Sequence, residues 1–252
     1  MTTVSDVELQ PVGALLRHWR ERRRMSQLDL ASASEVSARH VSFIETGRSK
    51  PTRSMLLKLS DQLEIPLRER NSLLLAGGFA PAYPEHQLTD IPMAAVSDAI
   101  ARILEAHMPY PALVIDRHWN MVDANAAGLI FADGCAPHLV EPPINVLRLS
   151  LHPDGIASKI TNLGEWRAHI LERLSHQIAA TGDDELVRLH KELAAYPCAD
   201  SDIEHDTRTL VVPLRLGELA FFSTTTVFGT PRDVTVAELA IEAFYPDDEA
   251  TA

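Results

Sequence analysis

Two cysteines, Cys135 and Cys198, are all the chain holds. They stand far apart, so no disulfide framework is available, and a reducing cytoplasm is the expected setting. No stretch approaches the ~18 apolar residues that a membrane span needs. The opening MTTVSDVELQPVG lacks the basic and apolar regions of a secretory leader. Chemical motifs are scarce too. There is no GxSxG, no GxGxxG after a strand, no P-loop, no HExxH and no CxxC. The reading is therefore of a non-enzyme with no catalytic residue and no metal site. His169 and His176, with Glu165 and Glu172, share a helical stripe, and Cys198, Asp200, Asp202, His205 and Asp206 form a polar cluster. Neither has zinc spacing, and both read as solvated surface. Positive charge is in deficit: the formal net charge of the 252 residues is −12. Taken whole, that figure speaks against a phosphate-rich partner.

What is present changes the picture, because the charge is divided by position. Residues 10–60 carry ten Lys/Arg against four Asp/Glu, whereas acids dominate after residue 80. The composition, 46% hydrophobic and 23% charged, is globular. The Gly- and Pro-bearing stretch GGFAPAYPEHQ, residues 77–87, marks the junction. Two domains are expected, 1–80 and 81–252.

The first domain reads as five short helices. Pro11 opens one carrying Leu15, Leu16 and Trp19. Ser26 caps a second, Gln27 to about Ser34, with Leu28, Leu30 and Ala31 inward. Glu35-Val36 makes a tight turn. Ser37 caps a third, Ala38–Thr46, stopped by Gly47. Val41 and Ile44 face inward, which leaves Ala38, Arg39, His40 and Ser42 outward. A fourth carries Met55, Leu56, Leu59 and Leu63, and a fifth runs from Pro66 through Leu67 to Ala76. Two helices around a short turn, the second presenting small polar and basic residues, suit a DNA major groove.

The segment QLDLASASEVSARHVSFIETGRSKPTRSMLLKLSDQLEIP resembles the helix-turn-helix of the Xre (lambda-repressor-like) family. Gln27, Leu30-Ala31, Val36, Ser37, Val41, Ile44, Glu45-x-Gly47, Pro51 and Leu56/Leu59/Leu63 carry the resemblance. Glu35 departs from it, standing where the family has Gly; a left-handed turn there costs roughly 1 kcal/mol. The resemblance implies double-stranded operator DNA as partner. Arg39 and His40 are placed for base edges, with Ala38 and Ser42 beside them. Gln27, Ser37, Arg48, Lys50 and Arg53 are placed for phosphates. Arg17 and the Arg22–Arg24 run add general attraction.

The second domain reads as α+β. Residues 92–108 form a helix with Val96, Ile100, Ile103 and Leu104 inward. Ala112–Ile115 and Trp119–Val122 flank a polar turn as a hairpin. Residues 166–182 and 183–197 form two helices. Three strand-like runs follow: Thr207–Leu216, Glu218–Phe228 and Thr235–Tyr245. Together these make a five-stranded antiparallel sheet with helices against one face. The strand residues Leu113, Ile115, Trp119, Val122, Leu210, Val212, Phe221, Phe222, Phe228 and Phe244 line either a core or a pocket. Arg148 and His152 suit a ligand carboxylate or structural hydrogen bonds equally, as does Asn125 for the hairpin or a ligand.

This layout is similar to a PAS-type sensor. More narrowly, PALVIDRHWNMVDAN, NVLRLSLHPDG, NLGEWRAHILERL, FGTPRDVTVAELAIEAFYP and the junction LLLAGGFAPAY resemble MmyB-like regulators. The resemblance implies a PAS-like pocket for a small apolar effector, a fatty acid first among candidates; the lack of a long apolar run makes no membrane partner the expectation. Trp119, Asn125, Arg148, His152, Phe221 and Phe228 are then the ligand-site candidates. A homodimer follows from helix-turn-helix geometry. Two rival readings remain: an enzyme with a DNA-targeting head, and an antitoxin-like regulator whose second domain binds protein.

Overall fold

A computed structural model describes residues 10–198 and 211–252 of the chain. The expected strand start at Thr207–Leu210, and Asp200 to Asp206 of the polar cluster, lie outside those residues. The chain divides into two compact units between Glu85 and His86, with Arg232–Val234 grouped with the first. The expected cut at 80/81 is five residues early. The Asn71 side chain holds the intervening chain to the first unit: its carbonyl accepts from Ala82 and Tyr83 N–H at 2.9 and 3.1 Å, and its amide donates to the Tyr83 carbonyl at 2.7 Å.

Among its described residues the first unit contains five helices: α1 (Val12–Arg22), α2 (Gln27–Ala33), α3 (Ala38–Glu45), α4 (Arg53–Gln62) and α5 (Leu67–Ala76). Local chemistry sets their starts. Ser26 and Asp29 form a reciprocal capping box on α2. Ser37 Oγ accepts from His40 N–H on α3, and Thr52 Oγ1 accepts from Met55 N–H on α4. Gly47, at φ +72°, ends α3 in the left-handed region. Glu35 does adopt the left-handed turn, at φ +52°, and Lys58 Nζ donates to its carboxylate at 3.0 Å.

Leu16, Trp19, Leu30, Val41, Ile44, Leu56, Leu59 and Leu63 form one core. Leu28 is not part of it: it is 68% exposed. The α2 stripe is Leu30, Ala31 and Ser34, and Leu28, two positions before Leu30, falls on the opposite side. Gly13 lets α1 approach α3 closely. A Cβ there would lie 2.3 Å from the Ile44 carbonyl oxygen and 2.7 Å from that of Glu45.

The second unit begins with α6 (Ala94–Ala106) and the hairpin β1 (Ala112–Ile115) and β2 (Met121–Ala124). Next come a 3-10 turn at Ala126–Phe131, α7 (Pro137–Val140), α8 (Val146–Leu151), α9 (Leu163–Thr181) and α10 (Asp184–Ala195). The last elements are β3 (Leu214–Leu216), β4 (Leu219–Val227), a short α11 (Val234–Glu238) and β5 (Ala240–Pro246). The strands form one antiparallel sheet in the order β2-β1-β5-β4-β3. Five strands and all-antiparallel pairing match the expectation.

Four details do not match it. The second strand starts at Met121, because Trp119 takes φ +68° in the turn. The run from Thr235 is helical until Glu238; β-strand begins where Ala240 finds Ile115 and Val227 as partners. β3 is short because its pairing with β4 stops at Leu214 opposite Phe221. Helices cover both faces, not one. On one face α6 sets Ile100 and Leu104 against Ala112, Val114 and Ile241. On the other, α8, α9 and α10 share one core with Leu113, Ile115 and Phe244. β1 is therefore buried throughout and β5 is buried over Ile241–Phe244. Ile103 is 42% exposed, since Ile100 and Leu104 supply the single stripe that meets the sheet.

Candidate functional site

In the first unit, α3 is held by an ion pair at its C-terminal end. Arg20 of α1 donates Nε and Nη2 to the Glu45 carboxylate at 2.7 and 3.0 Å, and Nη1 to the Met25 carbonyl at 2.7 Å. The Arg20 side chain is 10% exposed and that of Glu45 only 2%. Hydrogen bonding to Glu45 raises the Arg20 pKa, burial opposes that rise, and the Glu45 charge adds to it. Gln27 Nε2 adds a donor to Glu45 at 2.8 Å. One carboxylate thus ties the starts of α2 and the end of α3 to α1.

This arrangement sorts the expected DNA-contact residues. Arg39, Arg48, Lys50 and Arg53 are exposed, and His40 and Ser42 are half-buried. Arg39 and Arg48 both lie over the Phe43 ring, at 5.1 and 5.9 Å, so an aromatic that the sequence reading passed over gathers two cations. Ala38 is half-buried and packs on the core, so it does not simply face out. Gln27 is spent on Glu45 and the Ser37 hydroxyl on its cap. Arg17 is exposed and pairs with Glu21 at 2.7 Å. Within the Arg22–Arg24 run, Arg23 donates to the Leu63 and Glu64 carbonyls, a tie within the bundle.

In the second unit a cavity lies between the sheet and α9. Its volume is about 70 Å³, against roughly 10–15 Å³ for one water. Leu113, Met121 and Phe244 form its sheet side, and Trp119 its turn side. Leu129 and Phe131 come from the 3-10 turn, Val146, Leu147 and Leu149 from α8, and Leu214 from β3. From α9 come Trp166, His169, Ile170 and Arg173, at helical spacing of three, one and three.

The polar part of the wall is small. Arg173 donates Nη1 to Glu242 of β5 at 3.0 Å, and Nη2 to the other carboxylate oxygen and to Thr225 Oγ1. Thr225 donates to the same carboxylate at 2.9 Å. The guanidinium sits 4.6 Å over the Trp119 ring, whose Nε1 donates to Gln177 at 2.8 Å. His169 lies 5.6 Å from the Trp166 ring; burial lowers its pKa, and the Arg173 charge adds to that. Ser150 accepts from Trp166 Nε1 at 2.9 Å. The reading of His169 as solvated surface is thus corrected: its side of α9 faces the cavity.

Of the expected ligand residues, Trp119 lines the cavity. Phe221 is buried behind Phe244, ring centroids 6.5 Å apart. Phe228 packs against the α6 side of the sheet. Asn125 is a buried strut. Its side-chain carbonyl accepts from Ala112 and Gly128 N–H, both at 3.0 Å, and its amide donates to the Leu104 and Tyr110 carbonyls. Arg148 makes two 2.8 Å bonds to Glu192 of α10. His152 stands between the His138 and Tyr196 rings. None of these last three reaches the cavity wall. Among the other strand residues, Leu113 and Phe244 line it, Ile115 is in the adjoining core, Val122 is exposed, and Phe222 stacks on Tyr245.

Arg173 and Glu242 were not singled out in the sequence. Two signals pointed to them: Arg173 continues the Trp166, His169, Ile170 stripe, and Glu242 is an acid inside an apolar strand. Among the described residues, His138, His152 and Asp154 bring metal-capable atoms within 4.8 Å of one another. His152 Nδ1, however, accepts the Asp154 N–H at 3.0 Å, and His138 and Asp154 are exposed. No helix among the described residues is long and apolar enough to cross a membrane.

Comparison with known proteins agrees with this division. A helix-turn-helix family model matches residues 16–70. Over 111 residues, 42% of this chain, an HTH-type transcriptional regulatory protein of Methanoculleus marisnigri is 38% identical. Over 109 residues, 43% of the chain, uncharacterized HTH-type transcriptional regulators of Mycobacterium bovis and Mycobacterium tuberculosis are 34% identical. These matches span 35% of the first relative's length and 39% of the other two. The model of the MmyB-like transcription regulator ligand binding domain matches residues 96–252, more than half of the sequence, and the chain belongs to that family.

Proposed function

We propose that the protein is a DNA-binding transcriptional regulator whose second unit binds a small apolar effector, an aliphatic amphiphile such as a fatty acid. The observation that carries the reading is the α2–turn–α3 unit with Arg39 exposed on α3 over Phe43, while Glu45 at the helix end is tied to α1. Rigid support at one end and a free cationic side at the other is what groove reading requires. Arg39 and His40 address base edges; Arg48, Lys50 and Arg53 address phosphates. A homodimer reads paired half-sites about one helical turn, or a multiple of it, apart. The apolar wall described above supports the effector half of the proposal, in the manner of a PAS-type sensor.

Selection from a random-sequence DNA pool, followed by mobility shift, tests the DNA half. The expected result is a salt-sensitive complex that Arg39→Ala weakens by about ten- to hundred-fold. Absence of any salt-sensitive complex would sink it. Light scattering on the free and DNA-bound protein reads the dimer.

A further inference from the structure

The cavity wall carries two opposite charges already joined, and this bears on what polar group can enter. Resting on the effector reading above, we propose that the cavity prefers an amphiphile with an uncharged polar end, such as a long-chain alcohol or primary amide, over the ionised carboxylate of equal chain length.

The argument starts from the state of Arg173. A free guanidinium on an apolar wall would attract a carboxylate strongly. Here the guanidinium faces the Glu242 carboxylate with two nitrogens, a third contact goes to Thr225, and its flat side rests on Trp119. Its charge is neutralised before any ligand arrives. Glu242 is the deeper partner, its side chain 6% exposed against 30% for Arg173. An entering carboxylate would bring a second negative charge beside a buried one, where little water screens the repulsion.

An uncharged head group avoids that cost and still finds partners. A hydroxyl or amide donates to Glu242 and accepts from the guanidinium, which has five N–H donors in all. The other titratable group on this wall supplies no compensating cation. Burial lowers the His169 pKa from a starting value of 6.5, so its ring is neutral at neutral pH. Glu172 and Glu165 on the same helix and Glu242 of β5 push that value back up, but less than burial and Arg173 push it down. An ionised fatty acid is therefore the weak member of its own class, and its alcohol or amide the strong one.

Calorimetric titration of the full chain with dodecanol, dodecanamide, dodecanoate and dodecylammonium at about pH 7.5 tests this. Dodecanol and dodecanamide should bind at least about tenfold more tightly than dodecanoate, a difference of about 1.4 kcal/mol. In Glu242→Gln, dodecanoate should gain about tenfold or more relative to dodecanol, because Arg173 then faces the cavity with its charge uncompensated. If Glu242→Gln does not fold, the wild-type pH profile replaces it. Between about pH 5 and 7 the dodecanoate affinity should fall several-fold toward a plateau, because the tighter-binding neutral acid disappears over that range, while dodecanol stays flat. Tighter binding of dodecanoate by the wild type, no gain in the variant, or a flat dodecanoate profile would overturn the inference. Failure of all four probes to bind would instead overturn the effector reading beneath it.

Discussion

Among the described residues, Glu45 in the first unit and Glu242 in the second are buried carboxylates held by an arginine, and the two pairs are used differently. Arg20–Glu45 sits in a packed joint where every neighbour is committed: Met25 takes an N–H, and Gln27 gives one. Arg173–Glu242 has a similar two-pronged geometry, but one side opens on a cavity. A pair closed on all sides fixes helices. A pair left open on one side fixes the polarity of a binding wall. Chemistry of the residues alone does not separate these roles; the surroundings do.

The largest test of that contrast removes one partner from each. Arg20→Ala leaves Glu45 charged and buried, and should cost about 3–5 kcal/mol. Arg173→Ala should cost less, about 1–3 kcal/mol, because Thr225 still donates to Glu242 and water can enter beside it. Hydrogen exchange on the full chain assigns each loss to its own unit. Equal losses would break the comparison.

Removing both partners sharpens it further. Arg173→Met with Glu242→Leu should leave stability within about 1 kcal/mol of wild type or raise it, since apolar replacement of a buried pair is often neutral or better. Arg20→Met with Glu45→Leu should remain destabilised by about 1–3 kcal/mol, because the Met25 carbonyl and the Gln27 amide lose their partners. Chemical denaturation of both double variants reads the difference.

Gly13 of the first unit and Gly128 of the second differ in what stands nearest to them. Gly13→Ala drives a methyl into two backbone carbonyls and should cost about 1–3 kcal/mol. Gly128→Ala meets the Leu113 Cδ2 at 2.9 Å, a side chain that lines the cavity and has room to turn, and its nearest backbone atom, the Ala112 carbonyl oxygen, stands at 3.2 Å. It should cost under about 1 kcal/mol and shrink the cavity. Thermal melts compare them.

The smallest effect is one of pH. Arg148 hydrogen-bonds hold Glu192 below the usual carboxylate range, with burial opposing. A depressed folded pKa contributes stability that is present above the ordinary value of 4.5 and lost as pH falls through the folded value. Both side chains are about 40% exposed, so solvent screening leaves roughly a few tenths of a kcal/mol. Arg148→Ala should therefore change the acid limb of a pH–stability curve only slightly.

Sequence reading carried unevenly across the two units. In the first, Ser26, Ser37 and Gly47 mark helix ends within three or four residues of the groups they satisfy, so five helices could be placed locally. The misplacement of Leu28 came from reading apolarity without counting its angle from Leu30. In the second, β1 and the two long helices were legible by the same means. The start of β5 was not, because alternating Val234-Thr235-Val236 reads as strand until one knows that pairing begins only at Ala240. Arg148, His152 and Asn125 were sound as polar residues needing partners, and their partners turned out to be Glu192, neighbouring rings and backbone.

By itself, then, the sequence determined a basic five-helix unit followed by an acidic sheet-bearing one, because caps, helical periodicity and charge are properties of neighbouring residues. Which residues face the cavity, and which arginine was already neutralised, only the tertiary structure decided. Arg173 and Glu242 stand 69 residues apart, and no local rule joins them. Their pairing exists because α9 packs across β5, and the electrostatics of the cavity follow from that contact.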